Sequence, residues 1–278
     1  FYNSGHKSSL ETFPWLREKG LDVFEYQCGH GARTREETAR QLGEKARECG
    51  IGVSLHAPYY ISLASKDEEK RLNSLTYILQ SARIVDWMGG RRIVVHPGGL
   101  GGLPREGATA LAMDTLRRAQ EALDAEGLSH IHICPETMGK INQLGDFDEV
   151  LTFCSVDDRF LPCVDFGHLN SRTMGQVNSR KAFAALLDEM ENRLGRDRAS
   201  RFHAHFSKIE YSAGGEKRHL TFADDFYGPE PEPLLELLAE RNWGPVLICE
   251  SCGTQAEDAA AMKTAYLAAK GVGKRLPE

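Results

Sequence analysis

Residues 91–136 read RRIVVHPGGLGGLPREGATALAMDTLRRAQEALDAEGLSHIHICPE, and this stretch decides the fold. Two β-rich runs, Arg91–Pro97 and His130–Glu136, flank a segment in which Ala112, Leu116, Ala119 and Leu123 recur at helical spacing. Strand, helix and strand in succession make a βαβ unit with parallel strands. The alternation continues in both directions. Strands are expected at Leu21–Cys28, Gly52–Pro58, Phe160–Asp165, Arg201–Ser207 and Pro245–Glu250. Helical spacing returns in Leu72, Leu75, Leu79 and Ala82, and again in Phe183, Leu187, Met190 and Leu194. Thr34-Arg35-Glu36-Glu37 and Ser65-Lys66-Asp67-Glu68 read as capping boxes. An Ala-rich last helix is expected over Ala256–Lys270, stopping at Gly271.

Such alternation builds an α/β protein around a parallel sheet, open or closed. No Pro/Gly/Ser-rich linker divides the 278 residues, so residues 1–278 read as one domain. The length fits a closed (β/α)8 TIM barrel, which takes about 250 residues. Seven strands are read, not eight. The chain opens on what reads as the loop and helix after a first strand, so that strand is expected upstream of Phe1. An open doubly wound sheet is the alternative.

Composition narrows the function. No apolar run approaches the roughly 18 residues that span a bilayer, which excludes a membrane protein. Phe1-Tyr2-Asn3-Ser4-Gly5-His6 has neither the basic flank nor the apolar core of a secretory signal. The net charge of −6 argues against holding nucleic acid on a bulk basic face, yet allows a local positive site made by bound metal ions. Seven cysteines, an odd and scattered set, speak against a disulfide framework and for a reducing cytoplasm. The Cys249/Cys252 pair reads as plain thiols. No protein partner is evident, and a monomer is expected.

The chemistry lies at the strand ends. His56, His96, Glu136, Asp165 with His168, His205 and Glu250 close six successive strands. In a barrel those C-terminal ends meet on one face, where active sites of this architecture form. Imidazoles and carboxylates converging without thiolates are ligands for zinc or another divalent first-row metal. Ionised carboxylates crowded at a barrel mouth would repel one another and lose solvation; bridging between cations removes both costs. The set reads as a polynuclear metal site. His203 points inward two residues before His205, one layer deeper. It reads as structural or solvent-facing, as do His130 and His132 near a strand start and His6 and His30 in loops.

The ordered series LHAPYY, VVHPG, PET-x-G, VDFGH, HAHFS and ICES, running from about Leu21 to Glu250, resembles the endonuclease IV family. This is AP endonuclease family 2, the metal-dependent abasic-site endonucleases among the xylose-isomerase-like TIM barrels. The resemblance implies a DNA-repair hydrolase that cuts the phosphodiester 5′ to an abasic site in duplex DNA by in-line attack of a metal-bound hydroxide. It implies two or three zinc ions, with Mn2+ or Fe2+ accepted by the same ligands. His56 and His96 would hold one ion, and Glu136 would bridge it to a second completed by Asp165, His205 and Glu250. His168 and His219 would hold the third. Glu136 and Glu250 are then the catalytic carboxylates, and Tyr59 helps hold distorted DNA.

One position departs from the family pattern, which places an Asp two residues before the last His. Here that residue is Lys217, which cannot ligate while charged, and Glu216 is the substitute, reached by a small loop shift. Lys217 and Arg218 read either as phosphate contacts or as a solvated turn. A sugar isomerase or epimerase on the same scaffold is the alternative activity, and a non-catalytic metal-storage module a third. His96, His168, His205 and His219 favour the endonuclease, because that many imidazoles suit several metals rather than one.

Overall fold

The computed structural model describes residues 8–271, and all seven expected strands are present. In chain order, α1 (Thr12–Glu18) leads into β1 (Val23–Gln27), and α2 (Glu36–Glu48) into β2 (Gly52–His56). Then come α3 (Glu68–Trp87), β3 (Arg92–Val95), α4 (Arg105–Ala125) and β4 (His132–Pro135). After α5 (Phe147–Phe153), β5 (Cys163–Asp165) runs directly into the short α6 (Phe166–Arg172). The chain continues through α7 (Arg180–Ser200), β6 (His203–Phe206) and a hairpin of β7 (Ile209–Ser212) and β8 (Gly215–His219). It closes with α8 (Glu232–Arg241), β9 (Val246–Cys249) and α9 (Gln255–Ala269).

The barrel wall is parallel throughout. Ladders join β1-β2-β3-β4 and β5-β6-β9, and a parallel bridge between Glu136 and Cys163 ties the two sets together. β9 returns beside β1, but among the described residues no ladder joins them. A cavity of about 1240 Å3 follows that seam, lined by both strands and reaching Tyr59, His219 and Glu250 at the mouth. Among the described residues this is a (β/α)8-type wall of seven strands, with a single bridge between β4 and β5 and an unbridged seam between β9 and β1. An additional strand upstream of Phe1 lies outside the described residues, as does His6.

Side chains alternate across each strand, so residues two apart share the interior face. Val94, Cys134, Leu161 and Cys163 form a small apolar cluster of their own inside the barrel. The next inward positions on the same strands are His96, Glu136 and Asp165, so the chemistry sits one layer above an apolar floor. The larger core lies outside the wall, between strands and helices. There Ala112, Leu116, Ala119 and Leu123 of α4 are wholly buried, as are Phe183, Leu187 and Met190 of α7.

Local expectations fared less well. In α3 the buried face is Ser74, Ile78, Ser81, Ala82 and Val85, while Leu72 is exposed and Leu75 and Leu79 are half-buried. Ser74 and Ser81 turn their hydroxyls back to the carbonyls of Lys70 and Tyr77, which lets small polar residues occupy the packed stripe. Neither expected capping box forms. Thr34 instead bonds the Tyr26 hydroxyl at 3.1 Å, and α3 starts two residues later, capped by Asp67 on the Glu69 amide. A reciprocal box does form at Asp146 and Glu149, at the start of α5. Among the described residues no helix is long and apolar enough to cross a membrane, and all seven cysteines are free thiols.

Candidate metal centre

The strand ends deliver eight imidazole and carboxylate side chains to one face, and β8 adds Glu216. They fall into three groups, within each of which the potential ligand atoms lie within 4.8 Å of one another. In the first, Nε2 of His56 and Nε2 of His96 stand 3.2 Å apart and lie 3.4 and 3.0 Å from Oε2 of Glu136. The second gathers Glu136, Asp165, His205 and Glu250, with His205 Nδ1 3.3 Å from Glu136 Oε1 and 3.5 Å from Glu250 Oε1. The third joins His168, Glu216 and His219, with His168 Nε2 3.4 Å and His219 Nε2 4.0 Å from the Glu216 carboxylate. Glu136 turns one oxygen to the first group and the other to the second.

Local structure aims each ring. Nδ1 of His56 donates to the Ala57 carbonyl at 2.8 Å and Nδ1 of His168 to the Thr137 carbonyl at 2.9 Å, leaving Nε2 of each toward its group. Nδ1 of His219 lies 2.8 Å from the Ser207 hydroxyl. Such partners fix ring orientation around a metal. In Val164-Asp165-Phe166-Gly167-His168, Asp165 caps α6 by accepting from the His168 amide at 2.7 Å, which locks both ligands together. A Cβ on Gly167 would fall 2.5 Å from the Ser207 carbonyl oxygen, so only glycine lets α6 pack this close to β6.

The third group owes its carboxylate to a β-bulge. In the β7–β8 hairpin Glu210 faces Arg218 but Tyr211 faces Glu216, so Lys217 is the extra residue. The bulge breaks the alternation, and Glu216 comes to the side of His219 while Lys217 and Arg218 both turn outward to Glu210 at 2.7 Å. Glu216 therefore reaches the site from a bulged strand rather than by a loop shift. Gly139 makes room for it: a Cβ there would lie 2.6 Å from Cβ of Glu216.

Burial opposes charge on His168, yet Asp165, Glu136 and Glu216 outweigh it and push the imidazole pKa up to about 10. Burial likewise opposes charge on His56 and His205; Glu136 above all raises His56, while Cys163 followed by Glu250, Glu25 and Glu136 raises His205. Glu136 is held well below the usual carboxylate range in spite of its burial, by the surrounding imidazoles. Asp165 goes the other way, raised by burial. Oε2 of Glu136 and Oδ2 of Asp165 are buried with no aligned hydrogen bond. Buried anionic oxygens without partners are costly unless a cation meets them, and an imidazole–carboxylate set suits zinc, manganese or iron. The residues fit a divalent metal centre.

Without metal, His168 carries a proton at neutral pH, and ligation requires the lone pair, so loading must expel a proton. Affinity should rise as pH increases, by about tenfold per pH unit for each proton displaced. Calorimetry in buffers of differing ionisation enthalpy counts the protons directly. Affinity that stays flat between about pH 6 and 8 would show the ring to be neutral beforehand.

The structure thus brings together His56, His96, Glu136, Asp165, His168, Glu216, His219, His205 and Glu250. Tyr59 stands at the mouth, 53% exposed, its ring 5.2 Å from those of His56 and His96 and packed on Gly29. His130 pairs with Asp86 on the surface and His132 bonds the Arg159 carbonyl at the base of β4, both away from the site. His30 reaches only the edge of Tyr59. Sequence reasoning passed over Glu25, a wholly buried carboxylate on β1 whose oxygens lie 3.0 Å from His203 and 2.9 Å from His205. Its signal was a charged residue at an inward position of a barrel strand.

A family model described as xylose isomerase-like TIM barrel matches residues 13–270. An uncharacterized protein of Methanocaldococcus jannaschii is 34% identical over 236 residues, 85% of this chain and 84% of that one. A "Probable endonuclease 4" of Aquifex aeolicus is 25% identical over 232 residues, 80% of each chain. The solved structure of a D-tagatose 3-epimerase-like protein matches with a TM-score of 0.69 at 20% identity, covering 90% of both chains, a likeness of fold.

Proposed function

Because this chain belongs to the xylose isomerase-like TIM barrel family, we propose that it is a metal-dependent hydrolase cutting duplex DNA on the 5′ side of abasic sites. The observation that carries the reading is the third ligand group. His168, Glu216 and His219 stand beside the other two groups and share their mouth, which gives a cluster rather than one ion in a sugar-sized pocket. Endonuclease 4 relatives at about a quarter identity support it.

His56, His96 and Glu136 would hold one ion, Glu136, Asp165, His205 and Glu250 a second, and His168, Glu216 and His219 a third. Such ions supply Lewis-acid polarisation of a phosphoryl oxygen and a water of lowered pKa. The residues around them do the positioning. Glu136 spans the first two groups and keeps them in register, while Glu250 lines the open side of the second, where substrate enters. Tyr59 presents an exposed ring face beside His56 and His96, placed to pack against a distorted nucleotide. The ions would concentrate about six positive charges at the mouth, which reconciles a net charge of −6 with a polyanionic substrate.

With zinc or manganese bound, the protein should nick a synthetic abasic duplex 5′ to the lesion, and chelation should abolish the cut. Affinity should fall with salt, but less steeply than for proteins that make many Lys/Arg phosphate contacts. Tyr59→Ala should weaken binding to the damaged duplex while leaving metal content intact. A panel of ketose and aldose sugars assayed in parallel tests the alternative. Sugar interconversion without nicking would replace this reading with an isomerase or epimerase, the activity class of which the epimerase-like fold neighbour is one example.

A further inference from the structure

Four ligand rings have their second nitrogen placed, and one differs in kind. His56 and His219 use it on neutral oxygens, the Ala57 carbonyl and the Ser207 hydroxyl, and His168 donates it to the Thr137 carbonyl with carboxylate oxygens of Asp165 and Glu136 at 3.3 and 3.4 Å. His205 instead faces a carboxylate. Its Nε2 lies 2.9 Å from Oε1 of Glu25, while its Nδ1 faces Glu136 and Glu250.

Glu25 itself is fully buried. Its Oε2 accepts from the Ser54 hydroxyl at 2.8 Å and lies 3.0 Å from Nε2 of His203. Both imidazole contacts are at ion-pair distance but off the line of an ideal N–H···O bond, and Oε1 has no other partner. A buried carboxylate with a single neutral donor would be costly. The imidazoles relieve that cost and hold Glu25 well below the usual carboxylate range despite its burial.

We propose that Glu25 is a positioning residue of the metal centre, fixing the His205 proton on Nε2 so that Nδ1 offers its lone pair beside Glu136, Asp165 and Glu250. The opposite tautomer would aim a lone pair at an anionic oxygen 2.9 Å away and an N–H into the ligand group. A carboxylate partner also makes the ring a stronger donor than a carbonyl partner does. A rival arrangement exists, because Cys163, His203 and His205 also lie within ligand distance of one another.

The inference rests on the metal-centre reading but not on DNA as the substrate. In zinc-loaded protein labelled with 15N-histidine, His205 should show its proton on Nε2 and its metal on Nδ1; the reverse assignment overturns the proposal. Glu25→Gln keeps the size and the Ser54 contact. In chelator competition it should hold one ion about 10- to 100-fold more weakly and the others unchanged. Unaltered retention of every ion by the folded variant overturns the role of Glu25 alone, whereas a parent protein that binds no divalent ion overturns the metal-centre reading with it. Cobalt loading separates the rival: a thiolate-to-cobalt charge-transfer band would place an ion on Cys163 and overturn the proposal.

Discussion

Glu136→Gln should lower nicking of an abasic duplex by about 10³-fold or more, beyond the loss from removing one preorganised donor. The reason is its double engagement. Oε2 lies 3.0 Å from His96 and 3.4 Å from His56, and Oε1 lies 3.3 Å from His205 and 3.4 Å from His168. An amide offers one oxygen and puts an N–H where the other stood, so two ligand groups lose an anionic donor at once. The metal-free protein suffers as well. Glu136 is held ionised by imidazoles, and removing one partner of a buried charged set costs about 3–5 kcal/mol. Because its folded pKa is depressed, that stabilisation is present above about pH 4.5 and is lost as pH falls through the folded-state value. Thermal melts of chelated parent and variant at neutral pH read this directly. Near-native turnover with full metal content in the variant would remove Glu136 from its bridging role.

The second large effect concerns Glu216. Glu216→Ala should leave one metal fewer per chain and reduce nicking by about 10²-fold, the upper scale for a lost metal contact. This group is also the easiest to strip. The His219 and Glu216 side chains are 27% and 17% exposed, whereas each of the other groups has one such member, His96 at 18% and Glu250 at 20%. Dialysis of the parent against a mild chelator should therefore release this ion first. Lys217→Asp discriminates further. The bulge turns position 217 outward to Glu210, so restoring the Asp of the family pattern should add no ligand while Glu216 stays in place. Three equally retained ions in Glu216→Ala would mean that another side chain completes the group.

The barrel was legible because its signals are long and repeated. Strand ends carrying His, Asp or Glu mark both the parallel wall and the face on which the candidate ligands gather. What was missed depends on features that sequence does not display at one position. The α3 stripe defeats hydrophobic periodicity because Ser74 and Ser81 bury their hydroxyls against the helix's own carbonyls. Glu216 was read as a substitute ligand, but its actual route, a one-residue register change in β8, escapes a regular alternation. Glu25 resembles any strand glutamate until β6 is brought across the interior to meet it.

The seam between β1 and β9 has a mechanical meaning. A closed barrel is a hoop, stiff because every strand is clamped on both sides; here the β4–β5 link is held by a single bridge, and among the described residues the β9–β1 link has none. Outside the wall the seam is fastened by ion pairs from α9, Glu257 to Lys19 and Lys263 to Asp22, surface clasps worth at most about 1 kcal/mol each. Inside, Glu25 reaches from one lip to His205 on β6, next to the other lip. Strand edges left free of hydrogen bonds also invite pairing with a further extended segment, from the same chain or a neighbour. The weakest closure of the wall therefore runs along the β9–β1 line, and that line ends at Glu250, on the open side of the candidate site.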